Sequence, residues 1–417
     1  MPSPAPAGAV SRRILILNQA FYPDVVSTAQ HATDLAVSLA QCGHQVTAVA
    51  SARGYDDPQQ RYPRRETYRG VRILRVASTG LGKSARWRRA ADFASFMLNC
   101  AARSATLPRA DLVIALTSPP LISWLACLLL PWKARRLLFW AMDLNPDEAI
   151  AAGWLRPGSL PARVLQRLQM QSMRRAERIV ALDRFMKDRL LAKGLGEEKI
   201  VVIPPWSHDA VRFDPKGRDA FRLRHGLQDK FVVMYSGNHS PCHPLDTILH
   251  AAERLAAERR IVFCFAGGGS EHRRIQVVAR ERRLGNVLCL PYQPWSELSA
   301  SLSAADLHLA VMGENFAGIV HPCKVYNILQ LGTPMLYLGP KQSHIADVAA
   351  AMNGSGQVYT ARHGDVAQVT DIIRSLALNP QPWSRAHGSA AQSFSPQVLI
   401  PRMVEVINQA MEPAVRP

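Results

Sequence analysis

At 417 residues the chain is too long for one ordinary core and suits two domains of about 200 residues each. Hydrophobic residues at 48% and charged residues at 20% describe a globular chain, and the net charge of +18 asks for an anionic partner or a solvated basic face. Seven cysteines without a CxxC pair argue against a disulfide framework or zinc site and favour a reducing compartment.

The first thirteen residues, MPSPAPAGAVSRR, lack an apolar stretch of signal-peptide type and read as a short disordered lead. A strand, Arg13 to Asn18, follows, then a loop to Val26 and an amphipathic helix from Ser27 to Cys42, stopped by Gly43. A second strand, His44 to Ala50, leads into a polar, Arg-rich excursion and a third strand, Val71 to Val76. Further strands are expected at Leu112 to Leu116, Arg135 to Ala141, Arg178 to Leu182 and Ile200 to Ile203, with helices between most of them. The longest apolar run, Pro119 to Trp132, is too short for a membrane span and reads as a buried helix. Pro204 and Pro205 end this series, and Ser207 to Arg218 reads as a linker.

A second series has strands at Phe231 to Ser236, Ile261 to Ala266, Asn286 to Leu290, Asp306 to Met312, Pro334 to Leu338 and Gln357 to Tyr359. Helices are expected at Leu245 to Ala257, Glu271 to Arg283, Trp295 to Ala304 and Val366 to Leu376, with a last one at Pro396 to Met411. Short apolar strands alternating with helices imply parallel sheets covered on both faces. The expected fold is therefore α/β, two doubly wound Rossmann-like domains facing a central cleft. Their bounds are 1–205 and 206–394, with residues 395–417 forming a helix that can pack back on the first domain. Ligands of such sheets bind at the carboxyl ends of the strands.

Arginines cluster in Arg61 to Arg75, at Arg86, Arg88 and Arg89 around Trp87, and at Arg174, Arg175 and Arg178. Beside aromatic and aliphatic residues such clusters suit anionic lipid. No zinc finger, RNA-stacking signature or recognition-helix pattern accompanies them, so nucleic acid is the weaker reading.

Three loops at strand ends carry the chemistry of the second half. They are Ser236 to Ser240, Gly267 to Gly269, and Gly313 to His321. Glycines let backbone approach a ligand, and successive N–H groups can cradle oxygens. The segment GIVHPCKVYNILQLGTP, Gly318 to Pro334, opens a helix with Lys324 near its start and closes it at Gly332, which suits a phosphate or diphosphate. A plain strand-to-helix connection is the alternative, and no loop matches the Walker or GxGxxG patterns.

In order along the chain, FYPDVVSTAQHATDLAVSLAQCGHQVTAVA, ADLVIALTSPPL, FWAMDLNPDEA, RRAERIVALDRFMKDRLLAKG, KIVVIPPW, FVVMYSGNHS, IVFCFAGGG, NVLCLPYQPWSEL, SAADLHLAVM and GIVHPCKVYNILQLGTPML resemble one family. The chain resembles the retaining glycosyltransferases of family 4, with the two-Rossmann B-type fold, in the subgroup that builds bacterial cell-surface polysaccharides. The resemblance implies a donor site in the second domain formed by Gly237, Asn238, His239, Gly267, Gly268, Tyr292, Gln293, Pro294, Ala317, Gly318, Ile319, Val320 and Tyr326. Of these, Tyr292 to Pro294 would meet the nucleobase, and Gly237, Asn238, Gly318 and Ile319 the diphosphate and sugar. Lys324 would offset charge on the leaving diphosphate. Asp143 is the other catalytic candidate. Asn18, Ser27, Thr28 and Asp147 would face the acceptor or the cleft, and His31 and His44 read as structural or exposed.

The implied reaction moves a hexose or hexosamine from a nucleotide diphosphate sugar to a hydroxyl, with retention at the anomeric carbon. No dedicated nucleophile, obligatory cofactor or metal is implied, and no Asp-x-Asp motif is present. The basic and apolar segment Leu81 to Leu98 suggests a lipid-linked acceptor at the inner face of the cytoplasmic membrane, and closure of the domains around the donor is expected. Some positions depart from the pattern. Two glutamates common among relatives fall at Ile319 and Asn327, Pro-Ser-Lys reads Pro322, Cys323, Lys324, and a usual basic residue is replaced by Ser240, Pro241 and Cys242. His239, His243 or an arginine could supply the missing cation. A nucleotide-sugar 2-epimerase and a non-catalytic binding subunit of a glycan-assembly complex are the rival readings.

Overall fold

The computed structural model describes residues 11–55, 57, 59–82, 86–208, 211–352, 357–379 and 388–412. The expected lead, as far as residue 10, and residues 83–85 of the basic segment lie outside them. The chain divides into two compact units, one holding the described residues up to Pro204 and those from Gln397 onward, the other Pro205–Pro396.

In the first unit the strands are β1 (Arg13–Leu17), β2 (Gln45–Ser51), β3 (Arg65–Tyr68), β4 (Val71–Val76), β5 (Ala110–Ala115), β6 (Ala134–Trp140), β7 (Arg178–Ala181) and β8 (Ile200–Val202). They form one sheet in the order β3-β4-β2-β1-β5-β6-β7-β8. Ile14 to Leu17 and Leu112 to Ala115 are buried on both faces, as continuous apolar strands of a covered parallel sheet must be. The order reverses between β1 and β5, which sets the crevice of this unit at their carboxyl ends. The helix Pro396–Met411 belongs here from Gln397 on, and Arg136 Nη1 donates to the Ala410 carbonyl at 3.1 Å.

Three expectations need correction in detail. The Arg-rich excursion contains β3, antiparallel to β4, because Glu66 pairs with buried Arg75 at 2.7 Å and Tyr68 stacks on Tyr22 with ring centroids 3.8 Å apart. One arginine of that cluster is thus internal. The apolar run forms the helix Ile122–Lys133, but Leu128 and Trp132 stay 44% and 74% exposed. The expected linker ends early, since Asp214 caps a helix, Pro215–Arg224, by accepting from Gly217 N at 3.0 Å. Arg222 of that helix then pairs with Asp306 at 2.5 Å.

The second unit contains β9 (Phe231–Asn238), β10 (Ile261–Gly268), β11 (Val287–Leu290), β12 (Leu307–Val311), β13 (Met335–Leu338) and β14 (Val358–Ala361). Their order is β11-β10-β9-β12-β13-β14, parallel throughout. Phe231, Val233, Tyr235, Phe263, Phe265 and Leu309 form the centre of its core. The single helix expected at Trp295 to Ala304 begins as a 3-10 turn, Trp295–Glu297, before the α-helix Leu298–Ser303. The switch of strand order lies between β9 and β12. Among the described residues no helix is long and apolar enough to cross a membrane.

Candidate active site

The crevice of the second unit is built by the ends of β9 and β10 and by the loop after β12. Gly237 and Gly267 stand opposite each other in the β9–β10 register. A Cβ on Gly267 would lie 2.0 Å from the Gly237 carbonyl oxygen, so this approach admits no side chain. Gly237 holds φ +121°, a conformation open in practice to glycine alone. A Cβ on Gly268 would lie 2.8 Å from Tyr292 Cε2, which places the Tyr292 ring against the β10 end. Gln293 turns its amide to the Pro291 carbonyl at 2.8 Å, and Pro294 is exposed.

Lys324 is the first residue of the helix Lys324–Leu331, which ends at left-handed Gly332. Its Nζ lies 3.1 Å from the centre of the Tyr235 ring and 3.7 Å from where a Cβ on Gly237 would stand. That nitrogen is buried and has no hydrogen-bond partner among the described residues. Burial pushes the lysine well below its ordinary pKa, and the Tyr235 π face offsets only part of the lost hydration. An anion brought to the glycines would supply the missing partner.

His239 and His243 are not the substitute cation. His239 Nδ1 donates to the Gly237 carbonyl at 2.8 Å, and the ring packs edge-on to Tyr235 and His272. Burial first, then the Lys324 charge, lowers it to about 3. His243 Nδ1 donates to the Val311 carbonyl at 2.9 Å, and the same two causes lower it to about 3. Two neutral imidazoles fix the backbone around one lysine.

The loop after β12 is less open than its sequence suggests. The amides of Ile319 and Val320 both donate to the Phe316 carbonyl, at 3.0 and 3.2 Å, and both side chains are buried. They are therefore committed to the turn at Gly318, with Ala317 half-buried beside it. Tyr326 is buried with its hydroxyl 2.6 Å from His321 Nε2. Asn327, standing where a glutamate was expected, accepts from His208 N at 3.3 Å. Asn238 ends β9, and its carbonyl accepts from the Tyr235 hydroxyl at 3.1 Å.

In the first unit, Asn18 is buried and its amide is spent, donating to the Ala20 carbonyl at 2.6 Å and accepting from Ser118 N at 3.2 Å. It shapes the crevice rather than lining it. Ser27 and Thr28 open the helix Ser27–Gln41, where Ser27 Oγ lies 3.2 Å from Nδ1 of buried His31. Asp147 forms an ion pair with Lys193 at 2.7 Å. Asp143 has its pKa raised by burial and then by Glu148, so its carboxyl holds a proton more readily than an ordinary aspartate. Sequence reasoning missed Gln19, Arg53 and Arg89, which line a pocket in this unit. The only available signal was their place after β1, after β2 and in the Trp87 arginine cluster.

Residues 28–206 match the family described as "Glycosyl transferase 4-like domain". The chain is 27% identical over 210 residues to WcaI of Escherichia coli (strain K12), named for colanic acid biosynthesis as a glycosyl transferase, covering 49% of this chain and 51% of that protein. It is 25% identical over 241 residues to WbjE of Pseudomonas aeruginosa, named as a glycosyltransferase, covering 58% and 60%. The matches thus span little more than half the length of these relatives. In fold it is similar to the sucrose-phosphate synthase of Thermosynechococcus elongatus, with a TM-score of 0.74 at 15% identity over 95% of this chain and 98% of that one. The Anabaena protein HepE, solved with UDP and glucose, gives 0.69 at 14% identity over 95% and 99%.

Proposed function

We propose that the chain, whose residues 28–206 match the glycosyl transferase 4-like family and whose fold is similar to two-Rossmann structures, is a retaining glycosyltransferase of polysaccharide biosynthesis. It moves a hexose or hexosamine from a nucleotide diphosphate sugar to a hydroxyl on a lipid-linked saccharide. The observation that carries this reading is the buried, unpartnered Lys324 Nζ over Tyr235, beside the glycine pair Gly237 and Gly267.

The chemistry follows from that placement. Cleavage of the donor bond puts charge on the leaving diphosphate, and a fixed ammonium in a dry site stabilises developing charge without reorganising. Diphosphate binding also returns the proton that burial disfavours on Lys324, so the cation is strongest when the donor is present. Tyr292 against Gly268 offers a ring for the nucleobase. The leaving phosphate itself accepts the acceptor proton on the face it vacates, which gives retention without an enzyme nucleophile.

The exposed Trp87, Leu98, Leu128 and Trp132, with Arg88 5.4 Å over the Trp87 ring, support peripheral attachment to an anionic membrane, at its cytoplasmic face. One observation favours a second reading, a non-catalytic nucleotide-sugar-binding subunit. The two positions of the relatives' glutamate pair hold buried Ile319 and engaged Asn327, so no carboxylate meets the donor sugar there.

The test is a thermal-shift screen of nucleoside diphosphates and their sugars on the protein and on Lys324→Ala. Stabilisation that weakens at least about tenfold in apparent affinity in the variant supports the donor site. No stabilisation by any nucleotide removes the reading, and stabilisation without turnover across lipid-linked acceptors selects the binding subunit.

A further inference from the structure

We propose that Lys324 is a site of acylation by acyl phosphates, the phosphate seated on the Gly237 and Gly267 strand ends and the acyl group passing to Nζ. This deepens the donor-site reading by giving that site a chemical means of being switched off, and it rests on that reading for its consequence.

Lys324 stands apart from the other described lysines. Lys133, Lys199 and Lys230 give Nζ to backbone carbonyls at 3.0, 2.9 and 2.9 Å, and Lys187 and Lys193 give theirs to carboxylates at 2.6 and 2.7 Å. Lys216 and Lys341 are exposed to water. The Lys324 nitrogen is covered and has no hydrogen-bond partner among the described residues, while the residue as a whole is half-buried, so other atoms of it reach solvent. The Tyr235 ring closes one side of Nζ at 3.1 Å. The side facing Gly237 carries no side chain, and a Cβ there would stand 3.7 Å away.

An ammonium has no lone pair to attack with, and an ordinary lysine at neutral pH is nearly all ammonium. Burial holds Lys324 well below that range, and no carboxylate among the described residues offsets it, so its amine is a competent nucleophile. A reagent must still be brought to a covered nitrogen. The glycine strand ends, and the partial positive charge at the start of the helix Lys324–Leu331, attract the phosphate of an acyl phosphate as they attract a diphosphate. The acyl carbon, one oxygen removed from the phosphorus, is thereby delivered to Nζ.

The nitrogen lone pair forms the N–C bond, the C–O bond to phosphate breaks, and inorganic phosphate leaves with the amine proton. Nothing is oxidised or reduced. The resulting amide takes up no proton at working pH, so the crevice loses its cation and the donor diphosphate loses its partner.

The test incubates the full-length protein with acetyl phosphate and quantifies acetyl-lysine peptide by peptide. Cys323, next in the chain, gives its thiol to the His321 carbonyl at 3.2 Å, and hydroxylamine clears any thioester formed there before the reading. Labelling of Lys324 at least about tenfold faster than of Lys216 and Lys341, slowed by inorganic phosphate, supports the proposal. The N-hydroxysuccinimide ester of acetic acid, which carries no phosphate, should not reproduce that preference. Labelling no faster than at the two exposed lysines overturns the proposal, and so does an equal preference with the ester. Stabilisation by nucleotides without labelling overturns it and leaves the donor reading intact. Fast labelling that inorganic phosphate slows and no nucleotide does removes the donor reading and leaves the acylation site.

Discussion

The two units each place a crevice at the switch point of a parallel sheet, and they furnish it in opposite ways. At the end of β1 the first unit puts Asn18, whose amide closes the crevice by tying Ala20 to Ser118. Its open space moves sideways to a shallow pocket lined by Gln19, Arg53 and Arg89. At the end of β9 the second unit puts Gly237, clears the crevice of side chains, and aims one buried lysine into it. The difference separates two placements of positive charge. A guanidinium at a solvent-open wall stays charged at any working pH. A desolvated lysine takes up its charge with the ligand, which suits a group whose charge grows during reaction.

The largest effect expected from this contrast is at Lys324. Lys324→Met should lower transfer by roughly 10²–10³-fold, as removal of a preorganised charge-stabilising donor does. The same change replaces a buried, unpartnered ammonium by an apolar chain and should not reduce thermal stability. Initial rates and melting temperature measured on one preparation check both. A variant that melts much earlier, or that keeps near-normal rates, breaks the assignment of Lys324 to chemistry.

The next effect is on stability against pH, and its sign differs between three buried histidines of the second unit and one aspartate of the first, where His44 is lowered in the histidines' direction. His239 and His243, lowered to about 3, and His308, lowered to about 4, stay neutral in the folded second unit. In the unfolded chain they take up protons below their ordinary value of 6.5. The unfolded state then binds more protons, so stability is lost as pH falls from 6.5 towards 4, by up to ~1.4 kcal/mol per histidine per pH unit. Asp143 in the first unit runs the other way. Its raised pKa means the folded state holds the extra proton, so its contribution improves as pH falls towards the ordinary aspartate value. Hydrogen exchange between pH 7 and 5 should show β9, β10 and β12 losing protection before β5 and β6. Loss in the opposite order would contradict the contrast.

How much of this was legible in the sequence depends on whether the signal was periodic or relational. Continuous apolar strands such as Ile14 to Leu17 and Phe231 to Tyr235 announce a covered parallel sheet by themselves, and the α/β class follows. β3 did not, because RETY becomes a strand only through a partner 9 residues on, the Glu66 to Arg75 ion pair, and through stacking on Tyr22. At the candidate site the glycines and Lys324 could be read as an anion motif, since helix starts and backbone approach are local. That Ile319 and Val320 spend their amides on Phe316, or that His239 faces inward as a neutral ring, depends on hydrogen bonds that no spacing rule contains. The pocket arginines were visible only as excess charge.

A third effect tests the proposed membrane attachment and the unit that would carry it. Exposed Leu98 and Trp132 belong to the first unit, and Trp295, 42% exposed, to the second. Trp132→Gln with Leu98→Gln should weaken cosedimentation with phosphatidylglycerol vesicles about tenfold, the worth of roughly 1–2 kcal/mol of lost apolar burial. Trp295→Gln should leave it unchanged. Equal losses from both would place attachment on general charge rather than on the first unit's apolar residues.

The smallest effect, and the sharpest comparison, comes from two glycines. Gly80 has φ +69° and Gly237 φ +121°. At Gly80 an alanine meets the Arg53 guanidinium at 2.5 Å, the far end of a flexible side chain, so the arginine yields and folding costs about 1 kcal/mol of left-handed strain. At Gly237 the space is ordinary, with Lys324 Nζ 3.7 Å away, but the backbone conformation itself is costly, about 1–3 kcal/mol. Gly80→Ala should therefore leave nucleotide affinity untouched. Gly237→Ala should lower it a few-fold, by loosening the strand end that faces Lys324. Calorimetric titration of a nucleoside diphosphate onto both variants reads the two affinities. A loss at Gly80→Ala as large as that at Gly237→Ala would mean that the effect is general loosening of the fold and that Gly237 was not chosen for the group it faces.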